Sequence, residues 1–131
     1  MTKIVLDMQS ALYARLLERT LLQEFDDYQI VISKTPETTY DICEMHAPRV
    51  VIMEVTRYSP WMIDERIGLS ARIKKKNAGC KIIFMADGDA DKTLADQIVG
   101  AKRDGYADSI LFTSISEKFL ASEIVSLEPP E

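Results

Sequence analysis

The chain has few of the residues that mark disulfide-bonded, zinc-binding or nucleotide-binding proteins. It contains 2 cysteines, 1 histidine and 5 glycines among 131 residues. Cys43 and Cys80 each lie in or beside an apolar stretch and form no C-x-x-C pair, so we expect two reduced core thiols instead of a disulfide or a zinc ligand set. The loop after the first apolar run reads Asp7-Met8-Gln9-Ser10 and has no glycine. This excludes a dinucleotide-binding G-x-G-x-x-G loop at that place.

Long apolar runs and excess positive charge are also missing. No stretch approaches the roughly 18 apolar residues of a membrane span, and the apolar run after Met1-Thr2-Lys3 is too short for a signal peptide. The formal net charge of −5 argues against direct binding to nucleic acid or an anionic membrane. With 47% hydrophobic and 28% charged residues, the composition is typical of one globular domain. We therefore expect a cytoplasmic protein.

The chain does contain a regular alternation of short apolar runs and amphipathic stretches. An alternation of strand and helix with short loops predicts a parallel sheet covered by helices on both faces. Five such strands fit the flavodoxin-like, doubly wound α/β fold with strand order 2-1-3-4-5. One domain is predicted over residues 1–127, and 128–131 form a polar, Pro-rich tail or the start of a linker. The predicted strands cover residues 4–6, 28–32, 50–53, 81–85 and 110–112.

Several polar residues are predicted to begin helices. Ser10 is expected to cap the first helix, and Asp89 or Asp91 the fourth. The capping-box pattern Ser114-x-x-Glu117 predicts the start of a last helix. The leucines of the first helix recur at helical spacing and are expected to face the sheet. These are Leu12, Leu16, Leu17, Leu21 and Leu22.

Carboxylates follow three of the predicted strands. Functional groups of open parallel sheets lie beyond the carboxyl ends of the strands, and Glu54 is the first polar residue after the central one. Asp7 and Asp87 follow two other strands. Asp87 is either solvated or, because adjacent strands lie about 4.8 Å apart, could reach Asp7 and Glu54 and complete a three-carboxylate site.

These residues resemble the receiver domain of two-component response regulators, over roughly residues 2 to 127. In that family strand one ends in two acids that hold Mg²⁺, strand three in the Asp that accepts a phosphoryl group, strand four in Thr or Ser and strand five in Lys. Here Asp7 matches one acid and Met8 stands at the second. Glu54 stands at the acceptor position, Ala86 at the hydroxyl and Thr113 at the Lys.

The resemblance implies the receiver scaffold, and the replacements predict that its chemistry has changed. Glu is one methylene longer than Asp, which displaces its oxygen by about 1.5 Å, and phosphoryl transfer is sensitive to misplacements near 1 Å. The leading hypothesis is an atypical, phosphorylation-independent receiver-like domain that acts as a protein-interaction module, with no enzymatic activity and no cofactor. Two alternatives stay open: a working Mg²⁺-dependent phosphoacceptor with weak ligands Asp7, Glu54 and Asp87, and a dimerising N-terminal module of a larger regulatory protein.

The role of Glu54 and the interaction surface are open at this point. Glu54 could imitate the phosphorylated state, or it could be solvated or paired with Thr113, Lys81 or a loop amide. The resemblance implies that a protein partner or a second copy binds the face made by helix 4, strand 5 and helix 5. The predicted surface residues are Lys102, Phe119, Val125, Tyr58 and Trp61.

Overall fold

The predicted parallel sheet and its strand order are confirmed. In the computed structural model, which describes residues 2–87 and 91–112, five parallel strands lie in the order 2-1-3-4-5. Their short apolar runs suit strands that are buried on both faces. The strands are β1 Lys3–Asp7, β2 Gln29–Ser33, β3 Val50–Glu54, β4 Lys81–Ala86 and β5 Ser109–Phe112.

Four described helices connect the strands, and two of the predicted caps are confirmed. The Ser10 hydroxyl accepts from the Tyr13 N–H at 3.1 Å, and the Asp91 carboxylate accepts from the Leu94 N–H at 2.8 Å. None of the described helices has the length and apolar character needed to cross a membrane. The helix predicted after Ser114 lies outside the described residues. The helices are α1 Ala11–Glu24, α2 Pro36–His46, α3 Ile63–Lys76 and α4 Lys92–Arg103.

The core consists of two apolar clusters, one on each face of the sheet. Val5 and Val51 pack in the cluster covered by α2, α3 and α4. Ile4 and Ile52 pack in the cluster covered by α1. Successive side chains of a strand point to opposite faces, so the two clusters take alternate residues of each strand. The same alternation determines on which face the last residue of each strand lies.

The predicted inward face of α1 was partly wrong. Leu17 and Leu21 are buried with Ala14, whereas Leu12 is 82% exposed and Leu16 51% exposed. At 3.6 residues per turn, Leu12 and Leu16 lie about 100 to 180° around the helix from these three buried residues. Leu22 is also exposed. The five leucines therefore do not form one stripe, and small Ala14 completes the face that packs.

Both cysteines are free and buried, as predicted. Cys43 on α2 and Cys80 before β4 belong to the same apolar cluster. The pKa of each thiol is raised to about 12, mainly by burial, and the neighbouring Cys80 contributes to the rise at Cys43. The two thiols therefore stay protonated in the folded protein at neutral pH.

Candidate functional site

The side chains of Asp7 and Glu54 lie on opposite faces of the sheet. Asp7 is paired in register with Met53, so Glu54 is one residue further along its strand. Because neighbouring positions alternate between faces, Asp7 points toward α2 and α3, and Glu54 toward the start of α1. The predicted convergence with Asp87 is therefore not observed. Among the described residues, no group of three His, Cys, Asp or Glu side chains could hold a metal ion.

Asp7 forms a buried ion pair with Arg66 of α3. Arg66 Nη1 donates to Asp7 Oδ2 at 2.7 Å and Nη2 donates to Oδ1 at 3.0 Å, so the pair is bidentate. Both side chains are 0% exposed. Such fork-to-fork pairs are strong and directional, and Arg suits them better than Lys because its donors lie in one plane. The charge of Asp7 is thus compensated inside the protein.

A chain of hydroxyl groups supports the same carboxylate. The Thr39 hydroxyl donates to Asp7 Oδ2 at 2.6 Å, and the Ser33 hydroxyl lies 2.6 Å from the Thr39 hydroxyl. Both hydroxyl-bearing residues are buried. Buried polar groups are stable only when their partners are in place, and here β1, β2, α2 and α3 each contribute to the network. Asp7 is therefore tied to four elements of the fold.

Arg66 is the functional residue that sequence reasoning missed. It lies on the buried face of α3, three residues after Ile63 and three before Leu69. Residues at this spacing share one side of a helix, so a cation there must point into the core. That position within the apolar stripe was the available signal. A guanidinium in the core requires a buried acid nearby, and Asp7 is that acid.

The carboxylate of Glu54 is held by loop amides at the start of α1. Its Oε1 accepts from the Gln9 N–H at 2.7 Å and from the Ser10 N–H at 3.3 Å. A negative charge is favourable at a helix N-terminus, where free N–H groups point outward. Of the partners considered from the sequence, the loop amide is observed, and Thr113 lies outside the described residues. The pKa of the Tyr13 phenol is raised, mainly by burial and also by the nearby Glu54 carboxylate.

A cavity of about 340 Å³ lies beside Glu54, at the carboxyl ends of the strands. Glu54 and Asp87 both line it, whereas Asp7 does not. Arg57 and Asp91 form an exposed ion pair of 2.9 Å that joins the loop after β3 to the start of α4. The cavity therefore brings together two of the three predicted carboxylates.

The other positions of the predicted degenerate site carry no reactive group within the described residues. Met8 packs in the cluster beneath α1, and Ala86 packs in the cluster on the opposite face. Both are buried. Thr113 lies outside the described residues, so its place beside the site stays a prediction.

The predicted surface residues differ in exposure. Lys102 on α4 is exposed, and Tyr58 is 63% exposed and lines the cavity together with Leu94. Trp61 is half-buried in the turn before α3, and its indole N–H is buried without a hydrogen-bond partner among the described residues. Phe119 and Val125 lie outside the described residues. Val99, which the sequence reasoning did not select, is exposed on α4.

Comparison with solved structures shows the fold of response regulator receiver domains. The signal receiver domain of a DNA-binding response regulator (merR) from Colwellia psychrerythraea 34H is 20% identical, with 97% of this chain and 98% of that chain covered and a TM-score of 0.76. Chemotaxis protein CheY4 of Vibrio cholerae is 13% identical at the same coverage, with a TM-score of 0.75. A LuxR-family DNA-binding response regulator from Staphylococcus aureus is 17% identical, with a TM-score of 0.74. No family model and no curated protein matches the chain.

Proposed function

We propose that this chain is a receiver-like protein-interaction module in signalling that works without phosphorylation and without catalysis of its own. The fold is that of receiver domains. The residues at the strand ends, however, are engaged with other parts of the chain. Asp7 is paired with Arg66 and Glu54 with the amides of Gln9 and Ser10. The interaction surfaces of the scaffold are therefore proposed to carry its function.

The buried pair between Asp7 and Arg66 is the observation on which this proposal depends most. Phosphoryl transfer in receivers uses a divalent cation held by the acids after strand one. Of these acids this chain has only Asp7. Both of its carboxylate oxygens are bound to the guanidinium of Arg66, and one of them also accepts from the Thr39 hydroxyl. An acid that is fully hydrogen-bonded and 0% exposed is a poor ligand for an ion from solution.

We expect no phosphoryl adduct when the protein is incubated with Mg²⁺ and a small phosphodonor such as acetyl phosphate. The physical reasons are the displaced Glu54 carboxylate, its two amide partners and the sequestered Asp7. Intact mass spectrometry of the native protein measures the result, and a receiver domain with a working Asp is treated alongside as a positive control. A stoichiometric, acid-labile adduct that disappears in Glu54→Ala would refute the proposal.

One observation favours a second candidate, a working phosphoacceptor. Glu54 and Asp87 line the same cavity of about 340 Å³, so a cation held in it would lie near the acceptor position. Mg²⁺ often binds through one or two carboxylates and keeps several waters. The experiment above separates the two candidates, because only the second forms the adduct.

The proposed interaction surface runs from the loop after β3 along α4 to the turn before β5. Tyr58, Val99 and Tyr106 are exposed apolar or aromatic side chains on this surface, and Lys102 adds a cation. Aromatic and apolar groups that remain in water on a folded domain favour a contact with another protein. We propose that a second copy of the chain occupies it, which would also serve a dimerising module of a larger protein.

We expect Lys102→Glu to weaken self-association more than Glu54→Gln does. The first variant reverses a charge on the proposed surface, whereas the second only weakens contacts inside the chain. Sedimentation velocity over a range of concentrations measures both variants against wild type. Equal weakening by the two variants would contradict this surface.

We also propose a cytoplasmic location. Both cysteines are free thiols within the core, which suits a reducing compartment.

A further inference from the structure

Four oxygen atoms converge on the guanidinium of Arg66. Its Nη groups donate to both carboxylate oxygens of Asp7, Nη2 also donates to the Asp7 carbonyl at 3.1 Å, and Nε donates to the Glu54 carbonyl at 2.8 Å. The guanidinium has five N–H donors, and it makes these four hydrogen bonds with them. The cation therefore links the ends of β1 and β3 directly.

This set of oxygens has the chemistry of a hard-cation site. Carboxylate and backbone carbonyl oxygens are the ligands that Mg²⁺ and Ca²⁺ prefer. In the folded chain, however, all four oxygens accept hydrogen bonds from the guanidinium. The residues present therefore do not fit the divalent ion that the receiver fold implies, because Met8 stands at one of the two acids and both carboxylate oxygens of the other, Asp7, are bound to the guanidinium.

We infer that Arg66 is a permanent internal cation that compensates the charge of Asp7 in place of a divalent ion. The guanidinium is covalently attached to α3, so unlike a bound ion it cannot dissociate. The hydrogen bonds that join β1, β3 and α3 are then present at any metal concentration. This inference deepens the proposed function and shares its premise that the chain does not use Mg²⁺.

The inference predicts that removing the guanidinium makes the site responsive to a divalent ion. In Arg66→Ala the two carbonyls and the Asp7 carboxylate lose their cation, and the shorter side chain leaves space for Mg²⁺ and its waters. We expect MgCl₂ at about ten times its dissociation constant to raise the Tm of this variant by about 5 °C. Wild type is expected to shift by less than about 1 °C.

Three controls make the result specific. Thermal unfolding is followed by circular dichroism in MgCl₂ and in NaCl of equal ionic strength, so that general salt effects cancel. Arg66→Lys keeps a cation and is expected to be indifferent to Mg²⁺. The double variant Asp7→Asn/Arg66→Ala lacks the carboxylate and is also expected to be indifferent.

Each outcome decides the inference. If Arg66→Ala is unfolded without metal, a gain of helical signal on adding Mg²⁺ supports it. No effect of Mg²⁺ on Arg66→Ala beyond that of matched NaCl, on its Tm if it folds or on its helical signal if it does not, overturns it. Stabilisation of wild type by Mg²⁺ beyond that of matched NaCl also overturns it. The proposed function is tested separately by the phosphoryl adduct, so an unresponsive Arg66→Ala would leave that proposal standing.

Discussion

Replacing Arg66 with Ala is expected to lower the free energy of unfolding by about 3–5 kcal/mol, because it leaves the buried carboxylate of Asp7 without its counter-charge. The substitution also removes the donors to the Asp7 and Glu54 carbonyls, which are then left unpaired unless water reaches them. A loss of this size is a large part of the stability of an ordinary domain. Urea unfolding followed by circular dichroism measures it.

Arg72→Ala is the matched control on the same helix. Arg72 is exposed and its guanidinium lies 4.2 Å from the centre of the Tyr40 ring. An exposed cation–π contact is worth about 0.5–1 kcal/mol, so this variant should lose no more than that. Equal losses for the two variants would contradict the role assigned to Arg66.

A double substitution separates the charge from the packing. Replacing both partners with apolar residues of similar volume, as in Asp7→Leu/Arg66→Met, removes the unpaired charge. We expect this variant to be more stable than Arg66→Ala by at least about 2 kcal/mol, since breaking a buried pair is worse than replacing it. A double variant that is no more stable than Arg66→Ala would show that the ion pair is not the source of the loss.

Alkaline pH is expected to destabilise the protein through its two buried thiols. The pKa of Cys43 and of Cys80 is raised from 9.0 to about 12 in the folded chain. Between these values the unfolded chain releases protons that the folded chain keeps. Stability is therefore fully present below pH 9.0 and falls as the pH rises toward 12. Each thiol contributes a loss of about 1.4 kcal/mol per pH unit.

Urea unfolding at a series of pH values from neutral to alkaline measures this slope. Other groups also titrate at high pH, so the comparison is with Cys43→Ala/Cys80→Ala, in which the thiol contribution is gone. We expect a shallower slope in the double variant, by up to about 3 kcal/mol per pH unit where both thiols of the unfolded chain are ionised. Identical slopes would mean that the thiols do not resist ionisation in the folded protein.

The sequence predicted the fold well because the fold depends on local patterns. Short apolar runs that alternate with stretches of helical periodicity specify a parallel sheet. Short polar residues such as Ser10 and Asp91 mark where helices begin. The inward face of α1 was harder, because Leu12 and Leu16 are apolar but exposed. Which of several apolar residues packs depends on the sheet beneath the helix, and local spacing does not contain that information.

The site was predicted less well, for two physical reasons. The sequence indicates which residues follow each strand, but the face on which each lies depends on the register between strands. Asp7 is paired with Met53, one residue before Glu54, so the side chains of Asp7 and Glu54 lie on opposite faces of the sheet. The second reason is Arg66, which the sequence analysis did not select although its spacing on α3 places it on the buried face. A buried Arg becomes understandable only when its acid partner on another element is known.

The most direct test of the account is a residue-level titration of wild-type protein with Mg²⁺, followed by ¹H–¹⁵N correlation spectra. The backbone amides of Gln9 and Ser10 report on Glu54, and the amide of Val55 reports on the end of β3. If Arg66 already supplies the cation, these three signals stay in place up to high Mg²⁺ and on further addition of beryllofluoride. Saturable shifts at the same amides that require Mg²⁺ would contradict the account.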